Sequence, residues 1–283
     1  MKVIVTGADG MLGQDALIVL GERLEVFGVD IDDADLTDLD QAQELLEMYA
    51  PSWVVNCAAY TAVDRAEQEP DAAFAVNETA TKNLALACRG RGARLLHVST
   101  DYVFDGKKTD AYLPDDEPGP LGVYGKSKWA GEAAARKVLG NRCVILRTAW
   151  LHGPGGPNFV SAILAKLKKG EPLRVVNDQI GSPTYTGHLA EAILAAIESH
   201  LVGVHHTVGG GHCSWFDFAK QIAEFAGFAE AVIEPISSTE IDRPAPRPQN
   251  SRLDTASFTA ATGYPFPDWR EGLAAHLVRL GLR

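Results

Sequence analysis

Short apolar runs alternate along the first half of the chain with stretches whose apolar residues recur every three or four positions. The runs KVIVT, LEVFGVD, WVVNC, RLLHVS and CVILRT predict strands, and the stretches between them predict helices at about residues 11–20, 39–49, 72–88 and 124–139. Strands that alternate with helices of this length indicate βαβ units. Runs such as WVVNC are apolar on both faces, as in strands covered by helices on each side. The pattern predicts an α/β fold with a doubly wound parallel sheet.

The pattern becomes less regular after Trp150. The segment LHGPGGPNF is followed by a predicted helix through AILAKLKK, a strand at LRVV, a helix at about residues 188–197 and the proline-rich segment RPAPRPQNS. We therefore expect two domains, 1–150 and 151–283, the second being a smaller α/β lobe that binds substrate. The two are expected to be partly interleaved, because segments of the second can return to the sheet.

Composition narrows the possible functions. A chain of 283 residues with 46% hydrophobic content can bury a large core. Its formal charge of -11 argues against a nucleic-acid partner, since affinity for the phosphate backbone comes mainly from clustered Lys and Arg. The four cysteines form no CxxC pair, which indicates core residues in a reducing compartment and no zinc site. No signal peptide or long apolar run is evident, so we expect a cytoplasmic protein that does not contact a membrane.

The first strand leads directly into a glycine-rich turn, VTGADGMLGQD. Gly7, Gly10 and Gly13 lie between this strand and the first helix. Glycine there permits a tight turn and close approach of a pyrophosphate, which the helix N-terminus attracts. The spacing is GxxGxxG rather than GxGxxG, but its position in the first βα unit favours a Rossmann-type dinucleotide site.

An acidic residue follows the second predicted strand. Asp30 lies 17 residues after Gly13, where a carboxylate can bind the adenosine ribose, although a cap or turn aspartate is the alternative. Asp32 and Asp33 follow, with no arginine nearby, so a 2′-phosphate would meet negative charge. The sequence thus predicts NADH or NADPH as the cofactor and favours NADH.

A tyrosine and a lysine form the candidate catalytic pair. Of the seven tyrosines, only Tyr124 has a lysine, Lys128, four residues later, and these positions share one face of a helix. A neighbouring ammonium is expected to lower the phenol pKa from about 10. An exposed helical pair is the alternative for YxxxK alone. The fourth strand, however, ends in Ser99 and Thr100, and this combination indicates a nicotinamide-dependent enzyme with Thr100, Tyr124 and Lys128 as catalytic residues.

The motifs together resemble a known family. GADGMLG, NCAAYTAVDRAEQEP, VNETATKNLA, STDYVFDG, YGKSKWAGE, RTAWLHG, NDQIGSPT, SWFDFA and RPQNSRLD resemble segments of the extended short-chain dehydrogenases/reductases, and more narrowly of the dTDP-4-dehydrorhamnose reductases. The resemblance implies reduction of the C4 ketone of dTDP-4-dehydro-β-L-rhamnose. It implies that Thr100 hydrogen-bonds the keto oxygen, that Tyr124 donates a proton and that Lys128 also holds the nicotinamide ribose.

The remaining candidate site residues fall into two groups. Those expected at the cofactor are Gly7, Gly10, Met11, Leu12, Gly13, Asp30, Asp35, Leu36, Ala59, Tyr60, Thr61, Val98, Tyr124 and Lys128. The resemblance further suggests substrate contacts, besides Thr100, from Asp101, Trp150, Asn158, Gln179 and Arg247. For the last three, a helix cap, a turn residue and a surface ion pair are the respective alternatives.

The resemblance also bears on partners and rival functions. It implies a dTDP-4-keto-6-deoxy sugar as substrate, and it allows a homodimer and Mg²⁺, although no spacing in the sequence indicates metal ligands. A nucleotide-sugar epimerase or dehydratase is one rival, but Thr100 is followed by Asp101 and Tyr102 rather than by the Asp-Glu pair of a dehydratase. A regulatory subunit of the methionine adenosyltransferase type is the other. Residues 147–150 (RTAW) and 178–184 (DQIGSPT) favour the enzyme.

Overall fold

The computed structural model describes residues 1–282, in which thirteen strands and eleven α-helices follow one another. The strands are β1 Lys2–Thr6, β2 Glu25–Val29, β3 Trp53–Asn56, β4 Arg94–Thr100, β5 Cys143–Thr148, β6 Leu151–His152, β7 Leu173–Val176, β8 Ile180–Gly181, β9 Thr184–Tyr185, β10 Gly203–His206, β11 Cys213–Ser214, β12 Ile233–Ile236 and β13 Asn250–Ser251. The helices are α1 Met11–Gly21, α2 Leu39–Tyr49, α3 Val63–Ala66, α4 Pro70–Phe74, α5 Thr81–Arg91, α6 Val123–Leu139, α7 Phe159–Lys168, α8 Thr186–Glu198, α9 Trp215–Phe225, α10 Ala256–Thr262 and α11 Trp269–Arg279.

Six strands form one parallel sheet in the order β10-β5-β4-β3-β1-β2. The central strands are apolar, as expected of a sheet with helices on both faces, whereas the edge strand β10 reads GVHH. Helices α2, α5 and α6 pack on one face, around Leu46, Leu84 and Ala135. Helices α1 and α8 pack on the other, around Leu20 and Ile193. The predicted doubly wound α/β fold is confirmed.

A smaller α/β layer follows. Strands β7 and β12 pair in parallel, and helices α7, α9 and α11 bury an apolar core against them. Phe218 and Leu273 are fully buried in this core. The chain does not separate cleanly at residue 150, because β10 joins the main sheet beside β5 and α8 packs on α1.

The helix predicted over residues 72–88 is interrupted. Helix α4 passes into a π-helix at Ala75–Ala80, and α5 begins at Thr81. Asn77 lies in the π-helical turn, where its side chain binds both backbone groups of Tyr60 and donates to Ser127 Oγ at 2.9 Å. The wider turn thus directs the Asn77 amide into the space between β3 and α6. A regular hydrophobic pattern in the sequence does not reveal such a turn.

Candidate active site

A cleft of about 700 Å³ opens at the carboxyl ends of the parallel strands. This volume falls within the range of about 300 to 1,000 Å³ typical of small-molecule and cofactor sites. The cleft is lined by residues that follow five neighbouring strands: Gly7 after β1, Asp30 after β2, Cys57 after β3, Thr100 at the end of β4 and Thr148 at the end of β5. Ligands of doubly wound folds bind at this edge.

The glycine turn forms one end of the cleft. Gly7 has a φ of 68°, and a Cβ there would lie 2.6 Å from the backbone nitrogen of Ala58. A Cβ at Gly13 would overlap the carbonyl oxygen of Gly7. Helix α1 begins after Gly10 without a side-chain cap or an acidic residue in its first turn. Its N–H groups are therefore available to an anion, which fits the pyrophosphate of a dinucleotide.

Asp30 lies beside this turn. One carboxylate oxygen accepts from the Asp9 backbone N–H at 2.9 Å, and the other accepts from that of Ile31 at 2.8 Å. Asp35 and Leu36 line the cleft further along. The turn contacts of Asp30 match the structural alternative, yet each oxygen keeps lone pairs that a ribose hydroxyl can use.

The catalytic candidates line the same cleft. Thr100 Oγ1 donates to Asp101 Oδ1 at 3.0 Å and accepts from the Tyr102 backbone N–H at 3.2 Å. Tyr124 and Lys128 lie on α6, one turn apart. Burial raises the pKa of Tyr124 to about 12, and its hydrogen bond with Thr100 opposes this only in part. The expectation of a lowered phenol pKa is thus wrong for the protein without cofactor, because desolvation of the phenolate dominates.

Lys128 is almost completely buried, with 2% of its surface exposed. Its Nζ donates to the Val98 carbonyl at 2.7 Å and lies 3.2 Å from His97 Nε2. Burial lowers the pKa of Lys128 to about 8, although the negative charge of Glu132 opposes the change. The exposed helical pair that was the alternative for YxxxK does not occur here.

One buried oxygen in the cleft, Thr148 Oγ1, lacks a hydrogen-bond partner among residues 1–282. Burial raises the pKa of Asp101 to about 6. Thr148 was not identified from the sequence, although the parallel register pairs it with Thr100. Buried polar atoms of this kind are suited to bind a ligand.

Trp150 forms the far wall of the cleft. Its backbone has a φ of 50°, a left-handed conformation that is uncommon outside glycine. Its indole stacks on Trp215, with ring centroids 3.5 Å apart and planes inclined by 10°. Trp215 was also missed, because nothing in the sequence of α9 indicates that its first residue meets the segment after β5.

Four predicted site residues do not line the cleft. Tyr60 directs its hydroxyl to Glu69, Asn158 caps α7, and Arg247 forms an ion pair with Asp64 at 2.8 Å. Gln179 is buried, with 6% exposed, in the turn before β8. These contacts correspond to the structural alternatives for Asn158, Gln179 and Arg247, whose role in substrate binding remains a prediction.

Neither a metal cluster nor a membrane-spanning helix is found within residues 1–282. No three His, Cys, Asp or Glu side chains there are grouped so that they could hold a metal ion. No helix in the same range has the length and apolar character needed to cross a bilayer.

Comparison with known proteins identifies the family of the chain. The family model described as the RmlD substrate binding domain matches residues 1–281. A dTDP-4-dehydrorhamnose reductase of Streptomyces griseus is 40% identical over 276 residues, which cover 95% of this chain and 91% of the relative. The chain belongs to the dTDP-4-dehydrorhamnose reductase family.

Solved structures of this family have the same fold. A dTDP-4-dehydrorhamnose reductase of Clostridium acetobutylicum superposes with a TM-score of 0.96 at 37% identity, covering 99% of this chain and 100% of the other. One from Bacillus anthracis, solved in complex with NADP, gives a TM-score of 0.95 at 37% identity, covering 98% and 99%. The predicted family and Rossmann-type fold are confirmed.

Proposed function

We propose that this protein reduces the C4 ketone of dTDP-4-dehydro-β-L-rhamnose to dTDP-β-L-rhamnose, using NADH or NADPH. The observation that carries the proposal is that one cleft joins the glycine turn to Thr100, Tyr124 and Lys128. The substrate is inferred from the activity named for the Streptomyces griseus relative. The glycine turn and the uncapped start of α1 fit the pyrophosphate of a dinucleotide.

The family resemblance suggests a role for each side chain, and their common placement in the cleft supports these roles. The bound nicotinamide supplies the hydride. Tyr124 donates its phenolic proton to the carbonyl oxygen, and its raised pKa keeps that proton in place until it is needed. Thr100 orients the oxygen through its hydroxyl, and the ammonium of Lys128 stabilises the phenolate left on Tyr124.

The preference for NADH rests on the acidic residues near the ribose end of the cleft. Asp30, Ile31 and Asp35 line this region, whereas Lys128, at the opposite end, is the one Lys or Arg among the described cleft residues. A 2′-phosphate would therefore lack a cationic partner. Because the Bacillus anthracis relative binds NADP, the preference should be measured as the ratio of kcat/KM for NADH to that for NADPH. We expect a ratio above one for the wild type.

The substrate half of the site is proposed to include Asp101 and Trp150, with Asn158, Gln179 and Arg247 contributing from the second lobe. In this proposal residues 1–150 bind the cofactor and also supply Thr100, Asp101 and Trp150 to the sugar, and residues 151–283 form the substrate-binding lobe. A homodimer and a requirement for Mg²⁺ are further points to test, by light scattering and by assays with and without EDTA.

The decisive test is turnover with the keto sugar generated in situ. We expect the wild type to oxidise NADH only when this substrate is present. Tyr124→Phe should lower kcat by about 10²- to 10⁴-fold, the usual contribution of a general acid, while leaving the Kd for NADH nearly unchanged. Ser257→Ala is a suitable control, since its side chain lies on α10 outside the cleft.

Two results would contradict the proposal. Binding of NADH without turnover of the keto sugar would favour the regulatory-subunit alternative. Unimpaired turnover by Tyr124→Phe would remove the proton-donor role from this residue.

A further inference from the structure

A line of buried polar side chains runs beneath the cleft from β1 to Lys128. Thr6, Asn56 and His97 are each at most 2% exposed. Thr6 Oγ1 donates to Asn56 Oδ1 at 2.9 Å, Asn56 Nδ2 lies 3.0 Å from His97 Nδ1, and His97 Nε2 lies 3.2 Å from Lys128 Nζ. None of the three side chains was assigned a role above.

Two contacts fix the orientation of the Asn56 amide. The backbone N–H of Ala58, which can only donate, lies 3.1 Å from Asn56 Oδ1. The hydroxyl of Thr81 donates to the Asn77 carbonyl, so it accepts from Asn56 Nδ2 at 3.3 Å. The second proton of Asn56 Nδ2 is therefore directed at His97 Nδ1, which must act as an acceptor.

The orientation of Asn56 determines the tautomer of His97. Burial and the charge of Lys128 hold the pKa of His97 well below its usual range, so the ring is neutral. A neutral ring that accepts at Nδ1 carries its proton on Nε2, facing Lys128 Nζ. An uncharged Lys128 amine accepts this proton and still donates to the Val98 carbonyl. In the ammonium form, by contrast, an N–H group of Lys128 faces the Nε2–H of His97, and two donors meet without an acceptor.

The remaining charged and titratable groups near Lys128 lie on α6 itself, on β5 and directly after β3. Glu132, one turn further along α6, favours the ammonium, but it is paired with Arg147 of β5. The Cys57 thiol, which follows β3, has its pKa raised to about 12 by burial and is neutral. Tyr124 precedes Lys128 on α6 and is also neutral at pH 7. Burial is what lowers the pKa of Lys128, and His97 is the group from β4 whose ring nitrogen faces the Lys128 side chain.

We propose that His97 is a positioning residue: held by Asn56 with its Nε2–H towards Lys128, it disfavours the ammonium form and sets the pH above which the reduction fails. The proposal rests on the proposed function, since the ammonium is what stabilises the phenolate of Tyr124. Loss of that charge at high pH should lower kcat, and the midpoint of this loss reports the ionisation of Lys128.

The first experiment compares two substitutions of His97 by pH profile. In His97→Gln the side-chain amide oxygen can take the place of Nε2 and accept from the ammonium, so the alkaline limb of kcat should move upward by about one pH unit or more. In His97→Asn the shorter side-chain amide can take the place of Nδ1 beside Asn56 but does not reach Lys128. We therefore expect a smaller upward shift of the alkaline limb. His206→Gln, at a buried histidine on β10 outside the cleft, should leave the limb in place.

The second experiment needs neither cofactor nor turnover. Nitrogen NMR of histidine-labelled wild-type protein should show His97 as the neutral Nε2–H tautomer between pH 6 and 8. The resonances of His97 are assigned by their absence from the spectrum of His97→Asn. The Nζ resonance of Lys128 should titrate at lower pH in the wild type than in His97→Gln.

An Nδ1–H tautomer, or an unchanged alkaline limb and Nζ titration in folded His97→Gln, would overturn the inference. If the wild type does not reduce the keto sugar, the proposed function fails, but the NMR measurements still decide the state of His97 and Lys128. Should His97→Gln not fold, the tautomer measured in the wild type remains a sufficient test.

Discussion

The two halves of the cleft are built differently. The cofactor half consists of backbone at the ends of β1 and β2, where Gly7 and Gly13 allow close packing and α1 presents free N–H groups. The half proposed for the sugar consists of side chains from distant segments, such as Trp150 stacked on Trp215. Several of its candidate residues already bind other protein groups, as Asn158 and Arg247 do.

The cofactor half is held rigid by close backbone packing, whereas the sugar half is held by contacts between side chains. In the cofactor half, tight local geometry leaves no room for change, so a single methyl group should abolish the site. In the sugar half, Asn158 and Arg247 each have a structural contact as well as a proposed role. Substitutions there must separate the two roles, and their effects should be smaller.

The largest effect is expected at the glycine turn. In Gly13→Ala the added Cβ would overlap the Gly7 carbonyl oxygen and also crowd Ala8. Relief requires a shift of the turn, at a cost of about 3 kcal/mol or more in the free energy of unfolding. Binding of NADH, measured by fluorescence titration, should be lost. Urea unfolding would give the change in stability.

Gly21→Ala provides a matched control in the same helix. A Cβ at Gly21 meets nothing within 4 Å, so stability should change by no more than about 1 kcal/mol and NADH should still bind. Equal behaviour of the two alanine variants would show that close packing at Gly13 is not what forms the cofactor half.

This contrast also explains how much of the molecule could be predicted from the sequence. Five of the six strands of the sheet and the glycine turn depend on local periodicity and on turn residues, and these were predicted. Strand β10 was not, because its sequence GVHH contains no apolar run. Thr148, Trp215 and the contact of His97 with Lys128 depend on which strands and helices become neighbours, so no local signal identifies them. The π-helical turn at Asn77 was missed for the same reason, since it serves contacts with Tyr60 and Ser127. The domain boundary at residue 150 stays a prediction.

An intermediate effect, of opposite sign on stability and activity, is expected at Asp101. Burial raises its pKa from 3.8 to about 6, although side-chain hydrogen bonds with Ser251 and Thr100 oppose the rise, so ionisation at pH 7 costs up to about 3 kcal/mol of stability. Asp101→Asn should therefore raise the free energy of unfolding by about 1 to 3 kcal/mol at pH 7. If Asp101 binds the sugar, KM for the sugar nucleotide should rise in the same variant.

The sign of the Asp101 effect can be checked by pH. The native carboxyl binds its proton more tightly than the unfolded one, so the wild type loses stability as pH rises from about 4 to about 6. The advantage of Asp101→Asn should be full above pH 6 and vanish towards pH 4. A gain that does not depend on pH would contradict the assigned cause.

The smallest effect is expected at Asn158, where a structural and a binding role compete. Asn158 Oδ1 accepts from the Ser161 backbone N–H at 3.1 Å, which caps α7, and Nδ2 donates to the carbonyls of Gly153 and Gly156. Asn158→Ala should lower the free energy of unfolding by about 1 to 2 kcal/mol, whereas Asn158→Ser keeps a capping oxygen and should lose less.

The KM of the two Asn158 variants for the sugar nucleotide shows whether this residue binds the substrate or only caps α7. If Asn158 binds the substrate, both variants lack the amide and KM should rise several-fold in both, whatever their stability. If KM rises in Asn158→Ala and stays near the wild-type value in Asn158→Ser, the residue acts through the position of α7 alone. Affinity for the sugar nucleotide would then depend on the position of the α7 N-terminus, just as affinity for the cofactor depends on the N-terminus of α1.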